Sequence, residues 1–107
     1  MNEKKILIVE DSVIVAMDLR HKLAKLGYSI ISNVTSGEEA VVSAGEMRPD
    51  LVLMDIMLSG TMDGIEAADT IGRQYEIPVL FMSAYSDDHT IERAKQTKNY
   101  GFLVKPF

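Results

Sequence analysis

Five short apolar runs alternate along the chain with segments whose apolar residues recur every three or four positions. The runs occupy residues 5–10, 29–35, 50–55, 77–84 and 101–107 and read KILIVE, SIISNVT, DLVLMD, IPVLFMSA and GFLVKPF. Nearly continuous apolar strands separated by helices are typical of a parallel sheet covered on both faces. Because 107 residues can enclose one core, we predict a single doubly wound α/β domain with right-handed crossovers. The second run is the least apolar and is predicted to form an edge strand.

Four segments have the periodicity of helices, and three of them carry boundary signals. Ser86 is placed to cap the last of them, over about 87–97. Gly27 is placed to end the first helix, while Ser36 and Glu39 have the spacing of a capping box at the start of the second. The predicted apolar faces are Ala16, Leu19, Leu23 and Leu26 in a helix over 13–27, Ile65, Ala68 and Ile71 in a helix over about 64–74, and chiefly Ile91 and Ala94 in a helix over about 87–97. The last of these has few apolar anchors, which favours a moving element.

Composition and charge narrow the class of protein. The formal net charge of -5 argues against direct nucleic-acid binding, which depends on basic surfaces that neutralise phosphates. No apolar run approaches the roughly 20 residues that span a bilayer, and the apolar run after the N-terminal lysines is too short for a signal peptide. The chain has no cysteine. Together these features predict a cytoplasmic protein that does not interact with membranes.

Polar residues end almost every predicted strand. Ligands of open parallel sheets bind beyond the carboxyl ends of the strands, so side chains at these ends are expected to meet. Three converging carboxylates suit Mg²⁺, and an aspartate can act as a nucleophile toward phosphorus. A lysine and a hydroxyl would then neutralise and bind the phosphoryl oxygens. The residues at the strand ends are Glu10 and Asp11, Asp55, Ser83 and Ala84, and Lys105 and Pro106.

Each of these residues has a structural explanation when it is taken singly. An aspartate after a strand is commonly a turn or cap residue, and a Glu-Asp pair can cap the following helix. Their occurrence together, in register with four strand ends, favours a functional site. The two histidines, His21 and His89, lie in polar stretches and are interpreted as solvated side chains.

The sequence resembles the receiver domains of two-component response regulators along its whole length. The resemblance rests on ILIVEDS, LVLMDIML, MDGIEAA, VLFMSAYSD and GFLVKPF, read in that order. It implies a flavodoxin-like five-stranded parallel sheet of order 2-1-3-4-5. It also implies that a sensor histidine kinase phosphorylates the domain, and that phosphorylation switches a face that binds an output domain or protein.

The resemblance assigns roles position by position. Asp55 corresponds to the only phosphoacceptor, and Glu10, Asp11, Asp55 and the backbone carbonyl of Met57 correspond to the Mg²⁺ ligands. Ser83 and Lys105 correspond to residues that stabilise the phosphoryl group, with a cis bond between Lys105 and Pro106. Ser83 also belongs to the switch, together with an aromatic residue that is either Phe102 or Tyr100. Met57 and Tyr85 occupy the positions that tune hydrolysis of the aspartyl phosphate.

Two further features depart from the usual family pattern. The loop DIMLSGTMDG is one residue longer than the commonest form and lacks its proline, which predicts a local change of loop shape. A fifth helix normally follows KPF, so we expect a receiver domain over 1–107 truncated after the fifth strand, a piece of a longer chain. Bare apolar surface beside the helix over 13–27 would then favour a homodimer or cover by a neighbouring chain.

Two other functions remain open at this stage. A Mg²⁺-dependent phosphatase-like or nuclease-like α/β enzyme would also gather carboxylates, although such sites commonly use D-x-D where this chain has DIM. A receiver that no longer takes a phosphoryl group would be an interaction domain only. Asp55 and Lys105 argue against that alternative.

Overall fold

The computed structural model describes residues 4–56, 58, 62–83 and 102–104. Strands and helices alternate through most of this part of the chain, as the apolar runs predict. The strands are β1 (Lys5–Val9), β2 (Ser29–Val34), β3 (Leu51–Asp55), β4 (Val79–Ser83) and β5 (Phe102–Val104). The helices are α1 (Val13–Lys25), α2 (Gly37–Met47) and α3 (Gly64–Tyr75).

All neighbouring strands pair in parallel, in the order β2-β1-β3-β4-β5. The less apolar strand β2 lies at one edge, which confirms that prediction. Its pairing with β1 shifts register between Ile6 and Leu7. The order brings β1 and β3 side by side, with Val9 opposite Met54, although about forty residues of chain separate them. The predicted doubly wound sheet is therefore confirmed.

Alternate residues of the strands point to two separate apolar layers. On β1, Leu7 and Val9 belong to the larger layer, which lies under α2 and α3. Ile6 and Ile8 belong to a smaller layer with Leu19 of α1. Helices thus cover both faces of the sheet, which explains why its central strands lack polar alternation.

The face of α1 differs from its prediction at one end. Ala16 and Leu19 are buried as expected, but Leu26 is 72% exposed because α1 ends at Lys25 and Leu26 is its C-cap. Gly27 follows with φ +92°, a left-handed conformation that glycine adopts without strain. Val13, Ile14 and Met17 are also exposed on α1. Self-association through this helix face stays a prediction.

The helix starts are set by side-chain caps. Ser36 accepts from the Glu39 backbone N–H at 3.2 Å, which confirms the predicted start of α2. A complete capping box begins α3, where Asp63 accepts from the Glu66 N–H at 2.9 Å and the Glu66 carboxylate accepts from the Asp63 N–H. The predicted capping box of α2 is only half formed, because the Glu39 carboxylate accepts from the Ser36 hydroxyl at 3.1 Å and not from the Ser36 N–H. The box at Asp63 was not predicted. The predicted burial of Ile65, Ala68 and Ile71 in α3 is confirmed.

Several predictions concern residues near the end of the chain. Strand β4 begins at Val79, two residues after the start of the apolar run 77–84, and β5 covers Phe102–Val104 within the run 101–107. The helix expected over about 87–97, with His89, lies outside the described residues. His21 is exposed on α1, as interpreted. None of the helices in the described ranges has the length and hydropathy needed to cross a bilayer.

Candidate functional site

Three carboxylates meet at the carboxyl edge of the sheet, where β1 and β3 end together. Glu10 and Asp11 follow β1, and Asp55 is the last residue of β3. Because Val9 pairs with Met54, the next residue on each strand, Glu10 and Asp55, reaches the same edge. One carboxylate oxygen from each of Glu10, Asp11 and Asp55 lies within 4.8 Å of the other two. The predicted convergence of these three residues is therefore present in the structure.

Glu10 is held from two sides and is only 1% exposed. Its backbone N–H donates to the Val34 carbonyl on β2 at 3.0 Å. Its carboxylate accepts from the Ser12 backbone N–H at 3.0 Å. Burying a charged group is costly unless hydrogen bonds compensate it. These bonds fix Glu10 in position at the sheet edge.

The residue that caps the following helix is Ser12, and neither Glu10 nor Asp11 has that role. Its hydroxyl accepts from the Val15 backbone N–H at 3.4 Å, at the start of α1. The helix-capping explanation of the Glu10–Asp11 pair is therefore not the one that the structure adopts. Asp11 is exposed beside the buried Glu10, so the cluster opens to solvent on that side.

Asp55 is 5% exposed, and the backbone just after it is bonded on both sides. The Ile56 N–H donates to the Met82 carbonyl of β4 at 3.1 Å, and the Ile56 carbonyl accepts from the Gly64 N–H of α3 at 3.1 Å. These two bonds tie the end of β3 to its neighbouring strand and to the next helix. The Asp55 carboxylate therefore belongs to a backbone segment that is hydrogen-bonded on both sides.

The remaining predicted site residues lie partly or wholly beyond what the structure describes. Ser83 ends β4 and its backbone pairs with Val104, while Phe102 pairs with Phe81. These positions put the ends of β4 and β5 at the same sheet edge as Asp55. Lys105, Pro106, Met57, Tyr85 and Tyr100 lie outside the described residues, so their predicted roles stay predictions.

The oxygen cluster fits a hard divalent cation. Mg²⁺ binds oxygen ligands at about 2.1 Å in octahedral geometry, which separates ligand oxygens by roughly 3–4.2 Å. The three carboxylate oxygens lie within 4.8 Å of one another, so one cation could contact all three after the side chains close toward it. The donor set contains only carboxylates among these three residues, which suits Mg²⁺ better than a softer metal.

Two residues that shape this site were missed by sequence reasoning. Ser12 contributes both the α1 cap and the N–H that holds Glu10. Gly64 contributes the N–H that binds Ile56. A serine directly before a helical pattern is a recognisable cap signal. The Gly64 contact has no comparable local signal, because it joins positions across a loop.

Comparison with known proteins agrees with the fold. The response regulator receiver domain family matches residues 6–107. The transcriptional regulatory protein PdtaR of Mycobacterium tuberculosis is 38% identical over 104 residues, covering 97% of this chain and 50% of that protein. The chemotaxis protein CheY of Thermotoga maritima is 33% identical over 105 residues, covering 97% of this chain and 87% of that protein.

Solved structures show the same architecture. The signal receiver domain of a modulated diguanylate cyclase from Desulfovibrio desulfuricans G20 has a TM-score of 0.93 at 40% identity, covering 98% of this chain and 83% of that one. A chain of the CheX-CheY-BeF3-Mg+2 complex from Borrelia burgdorferi has a TM-score of 0.89 at 29% identity, covering 97% of this chain and 79% of that one.

The parallel sheet and its acidic edge define a class of protein, a doubly wound α/β domain with a carboxylate cluster at the carboxyl ends of neighbouring strands. Within that class, the chain belongs to the response regulator receiver domain family of two-component signal transduction. The chain spans half the length of PdtaR.

Proposed function

We propose that Asp55 accepts a phosphoryl group from a phosphohistidine of a sensor histidine kinase, with Mg²⁺ bound by Glu10, Asp11 and Asp55. The observation that carries this proposal is the convergence of the three carboxylates, with oxygens within 4.8 Å of one another, at the edge where β1 and β3 end. Membership of the receiver family supports the same assignment.

The transfer is a substitution at phosphorus. One oxygen of the Asp55 carboxylate attacks in line, an O–P bond forms, and the N–P bond to the donor imidazole breaks as that imidazole takes a proton. Bound Mg²⁺ would neutralise charge on the phosphoryl oxygens. Glu10 and Asp11 would hold the cation, and the backbone carbonyl of Met57 is proposed as a further ligand.

Two residues from neighbouring strands are proposed to stabilise the phosphoryl group. The Lys105 ammonium pairs with one phosphoryl oxygen, and the Ser83 hydroxyl donates a hydrogen bond to another. The position of Ser83 at the end of β4, opposite Val104 of β5, supports this placement. Because Ser83 moves toward the phosphoryl group, Phe102 or Tyr100 is proposed to follow it and change the surface that an output domain or protein binds.

The alternatives have less support. The family match over residues 6–107 favours a receiver over a phosphatase-like or nuclease-like enzyme. The convergence of Asp55 with Glu10 and Asp11 favours a phosphorylated receiver over a purely structural interaction domain.

The proposal is tested by intact mass after incubation with acetyl phosphate and Mg²⁺. Wild type is expected to gain one phosphoryl group, and Asp55→Asn is expected to gain none. Asp63→Asn is the matched control, because Asp63 caps α3 and asparagine is an equally good cap. Retention of the added mass in Asp55→Asn would refute the assignment.

Hydrolysis of the aspartyl phosphate is proposed to be slow. Met57 and Tyr85 occupy the two positions that border the path of the attacking water in receivers, and neither side chain can orient a water as a carboxamide or carboxylate can. Met57→Asn combined with Tyr85→Glu is expected to shorten the phosphoprotein lifetime, measured by the decay of the phosphorylated mass. An unchanged or longer lifetime in the double variant would contradict the proposal.

A further inference from the structure

Gly64 is the first residue of α3, a position where glycine has no intrinsic advantage. Glycine costs about 1 kcal/mol relative to alanine within a helix. Positive φ, which favours glycine, occurs at Gly27 and not at Gly64 among the described glycines. Backbone conformation therefore does not explain the absence of a side chain at Gly64.

Space explains it. A Cβ atom on Gly64 would overlap the carbonyl oxygen of Asp55, and it would lie 2.9 Å from the Asp55 carbonyl carbon and 2.9 Å from the Ile56 Cα. All three are backbone atoms of the residue that carries the proposed acceptor and of the residue after it. A backbone segment cannot rotate away as the end of a side chain can.

Neither α3 nor the end of β3 can move away from this contact without weakening hydrogen bonds. The capping box of Asp63 and Glu66 fixes the start of α3, and the Gly64 N–H donates to the Ile56 carbonyl at 3.1 Å. On the other side, the Ile56 N–H donates to Met82 of β4 at 3.1 Å. A side chain on Gly64 would separate α3 from the end of β3 and strain both bonds.

We infer that Gly64 is a positioning residue for Asp55: its missing side chain lets the start of α3 press against the Asp55 carbonyl and hold the carboxylate in register with Glu10 and Asp11. Glu10 is held independently by Ser12 and Val34. A shift of Asp55 therefore changes the distances between the three carboxylates. The inference rests on the proposed function of Asp55 for its effect on phosphorylation, whereas its effect on Mg²⁺ binding does not need phosphorylation.

The test compares Gly64→Ala with Gly45→Ala in the full chain. A Cβ on Gly45 is also crowded, at 2.6 Å from the Tyr75 Oη, but that contact lies between α2 and α3 and involves the end of a side chain. For each protein, stability is measured by urea unfolding and Mg²⁺ affinity by calorimetric titration. The phosphorylation rate with acetyl phosphate is measured at saturating Mg²⁺.

Gly64→Ala is expected to weaken Mg²⁺ binding and to slow phosphorylation at saturating Mg²⁺, by about 10- to 100-fold for a displacement near 1 Å. Gly45→Ala is expected to match wild type in both measurements. Equal values in the two variants would overturn the inference and leave the proposed function intact. If wild type accepts no phosphoryl group, the proposed function fails and the Mg²⁺ affinities alone decide the inference.

A stabilising second substitution allows the test to be made if Gly64→Ala alone does not fold. Glu76 has φ +56°, so Glu76→Gly is expected to stabilise the domain without touching the acidic site. If Gly64→Ala does not fold alone, the same measurements are made in this background. Failure to fold in both would assign Gly64 a purely structural role and overturn the inference.

Discussion

The effect of Asp11→Asn on folding stability is expected to change sign when Mg²⁺ is added. Asp11 has two carboxylate neighbours, Glu10 and Asp55, with oxygens within 4.8 Å. At 4.8 Å, two unit charges repel by roughly 3.5 kcal/mol at an effective dielectric constant of ~20 and by about 0.9 kcal/mol at ~80. Because Asp11 is exposed, the lower value applies more closely. Without metal, loss of this repulsion should make the variant more stable than wild type, by at most about 1–2 kcal/mol.

Mg²⁺ should invert this order. A ligand at 100 times its dissociation constant stabilises the folded state by about 2.7 kcal/mol. For a domain of 107 residues this corresponds to a rise in Tm of roughly 10 °C. Asp11→Asn lacks one of the three proposed carboxylate ligands and should gain far less, so wild type becomes the more stable protein.

The assay is thermal unfolding of both proteins in EDTA and across a Mg²⁺ titration. Glu46→Gln is the control, because Glu46 is an exposed acidic residue of α2, outside the acidic cluster. Its Tm should follow wild type in both conditions. Parallel responses of wild type and Asp11→Asn to Mg²⁺ would show that these carboxylates do not form the metal site.

Three further predictions concern stability and are checked by urea unfolding. Ser12→Ala should cost about 1 kcal/mol through loss of the α1 cap, and an unchanged midpoint would refute that role of the hydroxyl. Glu76→Gly should stabilise the domain by roughly 1 kcal/mol, because Glu76 has a left-handed backbone conformation that glycine adopts without strain. Arg48→Gly, at φ +50°, should stabilise it less, because it also removes the cation–π contact with Tyr75 at 5.0 Å. Equal gains in the two variants would contradict this reasoning. Ile71→Ala should cost about 2–5 kcal/mol because Ile71 lies on the buried face of α3 and is fully buried, and a loss below 1 kcal/mol would mean that the layer collapses around the cavity.

Strand ends were predictable because buried parallel strands are apolar throughout and stop where polarity begins. Glu10 and Asp55 mark such stops, and the structure places both at the expected edge. Leu26 was predicted wrongly because helical periodicity continues through it, although the chain has already left the helix at Lys25. The periodicity of apolar residues does not show at which residue the backbone hydrogen bonds of a helix end.

The sequence by itself determined the fold class, the residues that end the buried strands and the family of the chain. These can be read from the sequence because the periodicity of apolar residues and the spacing of motifs are properties of the chain itself. Tertiary structure alone decided that Glu10 is buried while Asp11 is exposed, and that their oxygens lie within 4.8 Å of Asp55. It also decided that Gly64 presses against the Asp55 carbonyl. These distances depend on the register of β1 with β3 and on how closely α3 approaches the sheet, and both are set by packing between segments that are distant in sequence.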